Sequence, residues 1–126
     1  MPERLAAAAL VNGEEAAWEQ GDCAAVIDWL RNAGYALLGI ELWLMKKGQI
    51  STFINTAGGP VLYCSSCDPR KGESWDGYVE RSTRLAAAGI AAFRWPEDSL
   101  EPCPAYFNLT WADRQWFQAR NKFGGT

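Results

Sequence analysis

One stretch of the chain decides the fold, Tyr35-Ala36-Leu37-Leu38-Gly39-Ile40-Glu41-Leu42-Trp43-Leu44-Met45. Its apolar residues recur with a period of two, which is typical of a β-strand. One face of that strand would carry Leu38, Ile40, Leu42 and Leu44. The other face would carry Gly39, Glu41, Trp43 and Met45. The stretch therefore predicts a strand with one fully apolar face that packs on a core.

The residues that follow predict an antiparallel meander. Residues 46–49 (Lys-Lys-Gly-Gln) form a turn with glycine where a positive φ is tolerated. Residues 50–55 return as the second strand, residues 61–63 form a short third strand, and residues 107–109 form a last one. Residues 64–73 are expected to be loop. The connections are too short for crossover helices, so the pairing should be antiparallel.

Three helices are expected before the strand. The first would begin with Pro2 near its first position and stop at Asn12-Gly13. The second would occupy residues 14–20, with the Asn12 side chain as its N-cap. The third would occupy residues 22–33 with Asp22 as its N-cap, because apolar residues recur there at helical spacing.

Two more helices are expected after the meander. Ser74 should cap the first of them, and the pattern Thr110-x-x-Asp113 should begin a terminal helix. Residues 94–106 contain three prolines and predict a stiff irregular connector. The sequence therefore predicts an α+β fold in one domain, residues 1–126, with N-terminal helices and a small antiparallel sheet of three to four strands covered by helices.

Composition excludes several classes of function. The chain of 126 residues has no histidine, which removes Ser-His-Asp and Cys-His nucleophile systems and histidine metal sites. Its formal charge of −3 has the wrong sign for a general nucleic-acid binder. No P-loop, H-E-x-x-H or G-x-S-x-G pattern occurs in the sequence. We therefore expect a domain that is not an enzyme and that uses no cofactor, metal or nucleic acid.

The N-terminus predicts the compartment. Its apolar run is short and flanked by charges, so it makes a poor signal peptide. No apolar run approaches the ~20 residues that span a bilayer. The expected location is the cytoplasm, without a membrane partner.

Acidic residues gather near the N-terminus, with seven acids against two bases in residues 1–45. Such a surface either aids solubility or steers a basic partner protein. A carboxylate and an indole on one strand face, Glu41 and Trp43, could form a partly exposed patch that anchors a partner. The predicted partner-binding residues are Glu14, Glu15, Glu19, Asp22, Glu41 and Trp43.

The motif Cys64-Ser65-Ser66-Cys67 leaves an alternative open. A redox pair would need a helix to begin at the first cysteine, which the following Asp68-Pro69 disfavours. A zinc site would need two further ligands, such as Cys23 and Cys103 or a carboxylate. In the third interpretation the cysteines have no special chemistry: they are small apolar side chains that fill space and a pair of thiols in a loop.

Two other classes remain as hypotheses. An enzyme could pair Glu41 with a distant acid such as Asp68 or Asp113, although no spacing in the chain favours it. The seven tryptophans could instead cover an interface in a homo-oligomer, which would make the chain a structural or interaction module.

Two short motifs resemble those of a small α+β immunity-protein family of bacterial polymorphic-toxin systems. In residues 38–43, Gly39, Glu41 and Trp43 match its Gly–acid–apolar–aromatic strand, although Ile40 replaces a second glycine. In residues 72–82, the matching helix residues are Trp75, Tyr78 and Ser82. The resemblance, over residues 35–90, implies a cytoplasmic protein that binds and neutralises a cognate toxin. Many such toxins are basic nucleases, which suits an acidic inhibitor.

Overall fold

A computed structural model describes residues 1–100 and 102–123 of the chain. These residues contain four helices and eight strands. The helices are α1 (Glu3–Ala8), α2 (Gln20–Asn32), α3 (Trp75–Ala92) and α4 (Arg114–Phe123). The strands are β1 (Leu10–Asn12), β2 (Glu15–Trp18), β3 (Ala36–Lys46), β4 (Gln49–Ser51), β5 (Phe53–Thr56), β6 (Gly59–Leu62), β7 (Cys64–Ser66) and β8 (Ala105–Ala112).

The strands confirm the predicted α+β fold. Six of them form one antiparallel sheet in the order β1-β2-β8-β3-β4, and β7 also pairs with β3. The central pair is β3 and β8, which are paired from Ala36 opposite Ala112 to Leu44 opposite Ala105 with one shift of register between Leu37 and Gly39. Strands β5 and β6 form a separate hairpin. The sheet is larger than expected because β1, β2 and β7 arise from segments predicted as helix or loop.

The N-terminal region differs most from the prediction. Residues 10–18 form the β1–β2 hairpin where helix was expected, and its turn contains Gly13 at φ +64°. Trp18 explains the difference, because its buried indole N–H donates to the Leu5 carbonyl at 2.7 Å. Trp18 makes this contact from an extended strand of the sheet. Tertiary packing therefore overrides the local helix propensity of this segment. Helix α2 consequently begins at Gln20, and Glu19 rather than Asp22 occupies its N-cap position.

One segment predicted as loop is a strand, and one predicted strand is longer than expected. Residues 64–66, expected to be loop, pair with β3 as β7. The short strand expected at residues 107–109 is the long strand β8, which begins directly after Pro104. Thr110 lies within β8, so the last helix begins later and Asp113 caps it by accepting from the Trp116 amide at 2.9 Å. Ser74 caps α3 as predicted, since its side chain accepts from the Gly77 amide.

A β-bulge changes the pattern of the central strand. The register between β3 and β8 shifts between Leu37 and Gly39, so Leu38 is an extra residue. Leu37 therefore belongs to the main core, and Leu38 packs against a second cluster. The prediction that Leu38 shares a face with Ile40 is wrong for this reason. The Leu37 amide donates to the buried Ser82 hydroxyl of α3 at 3.0 Å, which satisfies the backbone at the bulge.

The core lies between one face of the sheet and the helices. Trp18, Leu42 and Phe107 occupy facing positions on β2, β3 and β8 and are almost fully buried in the main cluster. The second cluster joins the beginning of α3 to α4 through Tyr78 and Phe117, whose rings stack at 6.0 Å. Among residues 1–100 and 102–123, no helix combines the length and the hydropathy needed to cross a bilayer.

Candidate functional site

The sheet face opposite the main core carries a row of four side chains that includes the carboxylate of Glu41 and the amide of Asn108. Ala17, Asn108, Glu41 and Cys64 face one another across β2, β8, β3 and β7. Residues directly opposite in an antiparallel ladder point to the same side of the sheet. The adjacent row contains the buried Trp18 and points into the main core. Because successive side chains of a strand point to opposite faces, the row of Glu41 points away from the main core. The central strands thus hold Glu41 and Asn108 side by side on a rigid surface.

An open depression of about 260 Å³ lies on this surface. Its lining includes Glu15, Glu41, Cys64, Asn108 and Thr110, and we call these five residues the acidic face. Glu15 and Glu41 are far apart in the sequence and come from β2 and β3, which flank β8. The structure therefore brings two of the predicted partner-binding residues together.

A second depression of about 240 Å³ adjoins the acidic face. Glu14 and Glu15 line it from the β1–β2 hairpin, and Asn108 and Thr110 line it from β8. Among the described residues that line either depression, none is a lysine or an arginine. Three carboxylates therefore lie on this surface with no lysine or arginine in the described lining, an arrangement that favours a negative local potential.

Trp43 differs from its expected exposure. The sequence suggests a partly exposed indole, whereas Trp43 is only 3% exposed. Its indole N–H donates to the Glu41 carboxylate at 3.1 Å. The packing around a buried indole restricts its orientation, so this hydrogen bond holds one carboxylate oxygen of Glu41 toward Trp43. Trp43 therefore positions Glu41 rather than offering its own ring to a partner.

Asn108 is a residue of the site that the sequence did not single out. It is 4% exposed, and its amide nitrogen donates to the Ala16 carbonyl of β2 at 2.9 Å. The bond joins β2 to β8 at the point where their ladder ends. The sequence does place this amide between two apolar residues, Phe107 and Leu109. Because a buried amide needs a hydrogen-bonding partner, that position could have indicated a structural role.

The other predicted acids do not reach the acidic face. Glu19 is exposed at the N-cap position of α2, and its side chain makes no capping hydrogen bond. Asp22 lies in the first turn of α2, 3.9 Å from the exposed Arg4 guanidinium. An ion pair at that distance and exposure contributes little to stability. The predicted acidic rim is therefore divided between the sheet and the start of α2.

The geometry of Cys64 and Cys67 disfavours a redox pair. Residues 64–66 are extended, which separates the two α-carbons by roughly 10 Å. A disulfide needs them within about 7 Å. The two side chains also point to opposite sides, because Cys64 lies on the acidic face and Cys67 packs on the second cluster. In the described part of the chain, no three Cys, Asp or Glu side chains come together as metal ligands would.

Cys67 instead belongs to a structural cluster around Arg81. The Arg81 guanidinium contacts the Cys67 sulfur at 3.3 Å and both carboxylate oxygens of Glu73 at 2.7 and 2.8 Å. It also donates to the Asp68 carbonyl at 2.7 Å. The hydrogen bonds from Arg81 lower the pKa of Glu73 to about 2. This network fixes the segment between β7 and α3.

An acid pair with Glu41 is not formed by the candidates that the sequence suggested. Asp68 contacts Arg81 through its carbonyl, and Asp113 caps α4. Neither side chain lines the depressions of the acidic face. The acids that do accompany Glu41 come from the β1–β2 hairpin.

Comparison of the chain with protein-family models, with curated proteins and with solved structures finds no match, and the resemblance to immunity proteins stays a prediction.

Proposed function

We propose that this protein is a non-catalytic binding domain that acts as an immunity protein by binding and blocking a cognate, basic bacterial toxin. The observation that carries the proposal is the acidic face, where Glu15 and Glu41 line one open depression on the central strands. The motif resemblance of residues 38–43 and 72–82 points to the same class of function.

The form of the surface supports binding rather than catalysis. The depressions are open, whereas substrates are usually bound in enclosed, largely apolar pockets with a few convergent polar groups. A negative surface attracts a basic protein from a distance and raises the association rate, and it orients the complex. The proposal places the protein in the cytoplasm with a protein partner, without a nucleic acid or a membrane.

Coexpression tests this proposal. The gene next to that of the protein is expressed in bacteria with and without the protein, and growth and complex formation are measured. We expect the protein to restore growth, and Glu41→Lys to weaken binding by tenfold or more because it places a cation in the negative depression.

Glu80→Lys is the matched control, since Glu80 is exposed on α3, outside the lining of both depressions, and undergoes the same change of charge. Restoration of growth by wild type and Glu80→Lys, but not by Glu41→Lys, supports the proposal. Absence of both protection and a complex contradicts it. Equal loss in the two variants shows that net charge, and not the acidic face, matters.

A second candidate function, an oligomeric interaction module, is favoured by one apolar patch. Phe53 and Leu62 lie opposite each other on the β5–β6 hairpin and are 48% and 47% exposed. Val61 on the same hairpin is also exposed, and contiguous exposed apolar surface is a mark of protein contacts. Sedimentation of wild type and a Phe53→Ser variant tests it, because a dimer formed through this patch should dissociate in the variant.

A further inference from the structure

The ladder between β2 and β8 is unusually short. Only Ala17 with Asn108 and Trp18 with Phe107 are in register. Strand β8 continues to Ala112, and residues 110–112 have ladder partners on β3 alone in the described part of the chain. The edge of β8 that faces away from β3 is therefore unpaired over these residues, although β8 is an inner strand of the sheet.

The depression of about 240 Å³ lies beside this unpaired edge. Thr110 and the half-buried Trp111 line it from β8, and Glu14 and Glu15 line it from the β1–β2 hairpin. Unpaired edges are normally protected by proline, by lysine or by a covering element. Residues 105–112 (Ala-Tyr-Phe-Asn-Leu-Thr-Trp-Ala) contain neither proline nor lysine. The structure thus places two carboxylates and a half-buried tryptophan, whose ring also contacts Trp18, beside a strand edge without a ladder partner among the described residues.

We propose that an extended basic segment of a partner protein adds to β8 as a short strand at residues 110–112, in the fork between β8 and the β1–β2 hairpin. Backbone hydrogen bonds to β8 would give affinity, and alternate side chains would give specificity. A lysine or arginine of the segment reaches Glu14 or Glu15, and an apolar side chain contacts Trp111. The identity of the partner as a toxin rests on the proposed function, whereas the binding chemistry does not.

A titration with synthetic peptides tests the inference on the full-length protein. The probe is a blocked pentapeptide, Lys-Thr-Lys-Val-Lys, followed through the backbone amide resonances of labelled protein. We expect shifts at residues 110–112 and at Glu15, and no binding of the acidic analogue Glu-Thr-Glu-Val-Glu. Shifts confined to β1 or β7, or absence of binding of the basic peptide, would overturn the proposal.

A second peptide separates strand addition from simple charge attraction. Methylation of alternate backbone nitrogens keeps the charges and removes the donors, so the affinity should fall about tenfold or more. Equal affinity of the methylated peptide would overturn strand addition. The Glu14→Gln and Glu15→Gln double variant should also bind more weakly than wild type, whereas the control Glu80→Gln should not.

The toxin experiment distinguishes this inference from the proposed function. If the toxin binds and amide exchange at residues 110–112 slows, the proposed function and the strand-addition site are both supported. If the toxin binds and exchange there is unchanged, the inference fails and the function remains. If the basic peptide adds to β8 and no toxin is bound, the function fails and the strand-addition site remains.

Discussion

Replacing Gly39 by alanine should detach β7 from the central strand. A Cβ atom built at Gly39 lies 2.9 Å from the backbone oxygen of Ser65, and ordinary Cβ contacts are longer. Because the obstacle is backbone rather than a flexible side chain, β7 must move away from β3. The three pairs that join these strands, Gly39–Ser66, Ile40–Ser65 and Glu41–Cys64, would then be strained. The change also disturbs the acidic face, since Cys64 and Ser65 line its depression.

The expected cost follows from two opposing effects. Forcing an extra methyl group into a packed contact typically costs about 1–3 kcal/mol. Alanine also restricts the unfolded chain, which offsets about 0.4–1 kcal/mol. We therefore expect Gly39→Ala to lower the free energy of unfolding by about 1–2 kcal/mol. Urea unfolding followed by tryptophan fluorescence measures this change, and amide exchange should show faster opening at residues 64–66.

Gly21→Ala is the matched control for this substitution. Gly21 lies in α2 with no atom within 4 Å of an added Cβ, so alanine should leave stability unchanged or raise it by up to about 1 kcal/mol. If Gly39→Ala were as stable as wild type, with unchanged exchange in β7, the close approach of the two strands would not be the reason for glycine at this position.

Three further substitutions test other parts of the structure. Glu73→Gln should lower stability at neutral pH by about 1 kcal/mol, because the pKa of Glu73 falls from its ordinary 4.5 to about 2 beside Arg81 and solvent screens much of that interaction. The folded state holds this carboxylate ionised, so the contribution is present above about pH 5 and disappears as the pH falls towards 2; urea unfolding across this range measures it. Ser82→Ala should cost about 1–3 kcal/mol, since it leaves the buried Leu37 amide without an acceptor, and thermal unfolding measures the loss. Trp43→Phe keeps a buried aromatic ring but removes the donor to Glu41, so affinity for the basic partner that we propose should fall several-fold, as measured by calorimetry, while the fold persists.

Each of these expectations has a contrary outcome. A wild-type protein and a Glu73→Gln variant with parallel stability curves from pH 7 to pH 2 would show that the ion pair does not contribute. A Ser82→Ala variant as stable as wild type would mean that another group satisfies the bulge. Unchanged affinity in Trp43→Phe would show that Glu41 needs no fixed orientation.

The central part of the fold could be predicted because its local and tertiary preferences agree. Strand β3 alternates apolar and other residues, and one face of it is buried, so the pattern is strong. Helix α3 begins where Ser74 offers an N-cap and carries a regular apolar stripe. In both elements, packing in the folded protein stabilises the same conformation that the local sequence favours.

The missed strands are those whose local sequence favours something else. Residues 14–17 (Glu-Glu-Ala-Ala) are good helix formers, but pairing with β1 and β8 and the burial of Trp18 stabilise the extended conformation. Strand β7 is a polar stretch with no periodicity, and it pairs because Gly39 leaves room for it. Strand β8 follows three prolines closely, which hides its beginning.

The candidate site could be predicted only in part. Glu15 and Glu41 are both among the predicted partner-binding residues, but their proximity depends on the β1–β2 hairpin, a segment for which the sequence predicts helix. The contribution of Asn108 depends on its cross-strand neighbours, which no local pattern reveals. The position of Trp43 inside the protein likewise follows from packing around the whole sheet.

The bulge at Leu38 divides β3 into two units whose side chains are out of phase by one residue. Ala36 and Leu38 pack in the cluster that joins α3 and α4. In the segment from Ile40 to Leu44, one face packs in the larger core and the other face carries Glu41 of the acidic face. The C-terminal helix can therefore accumulate substitutions, repacking against its own end of the strand, without altering the spacing of the carboxylates.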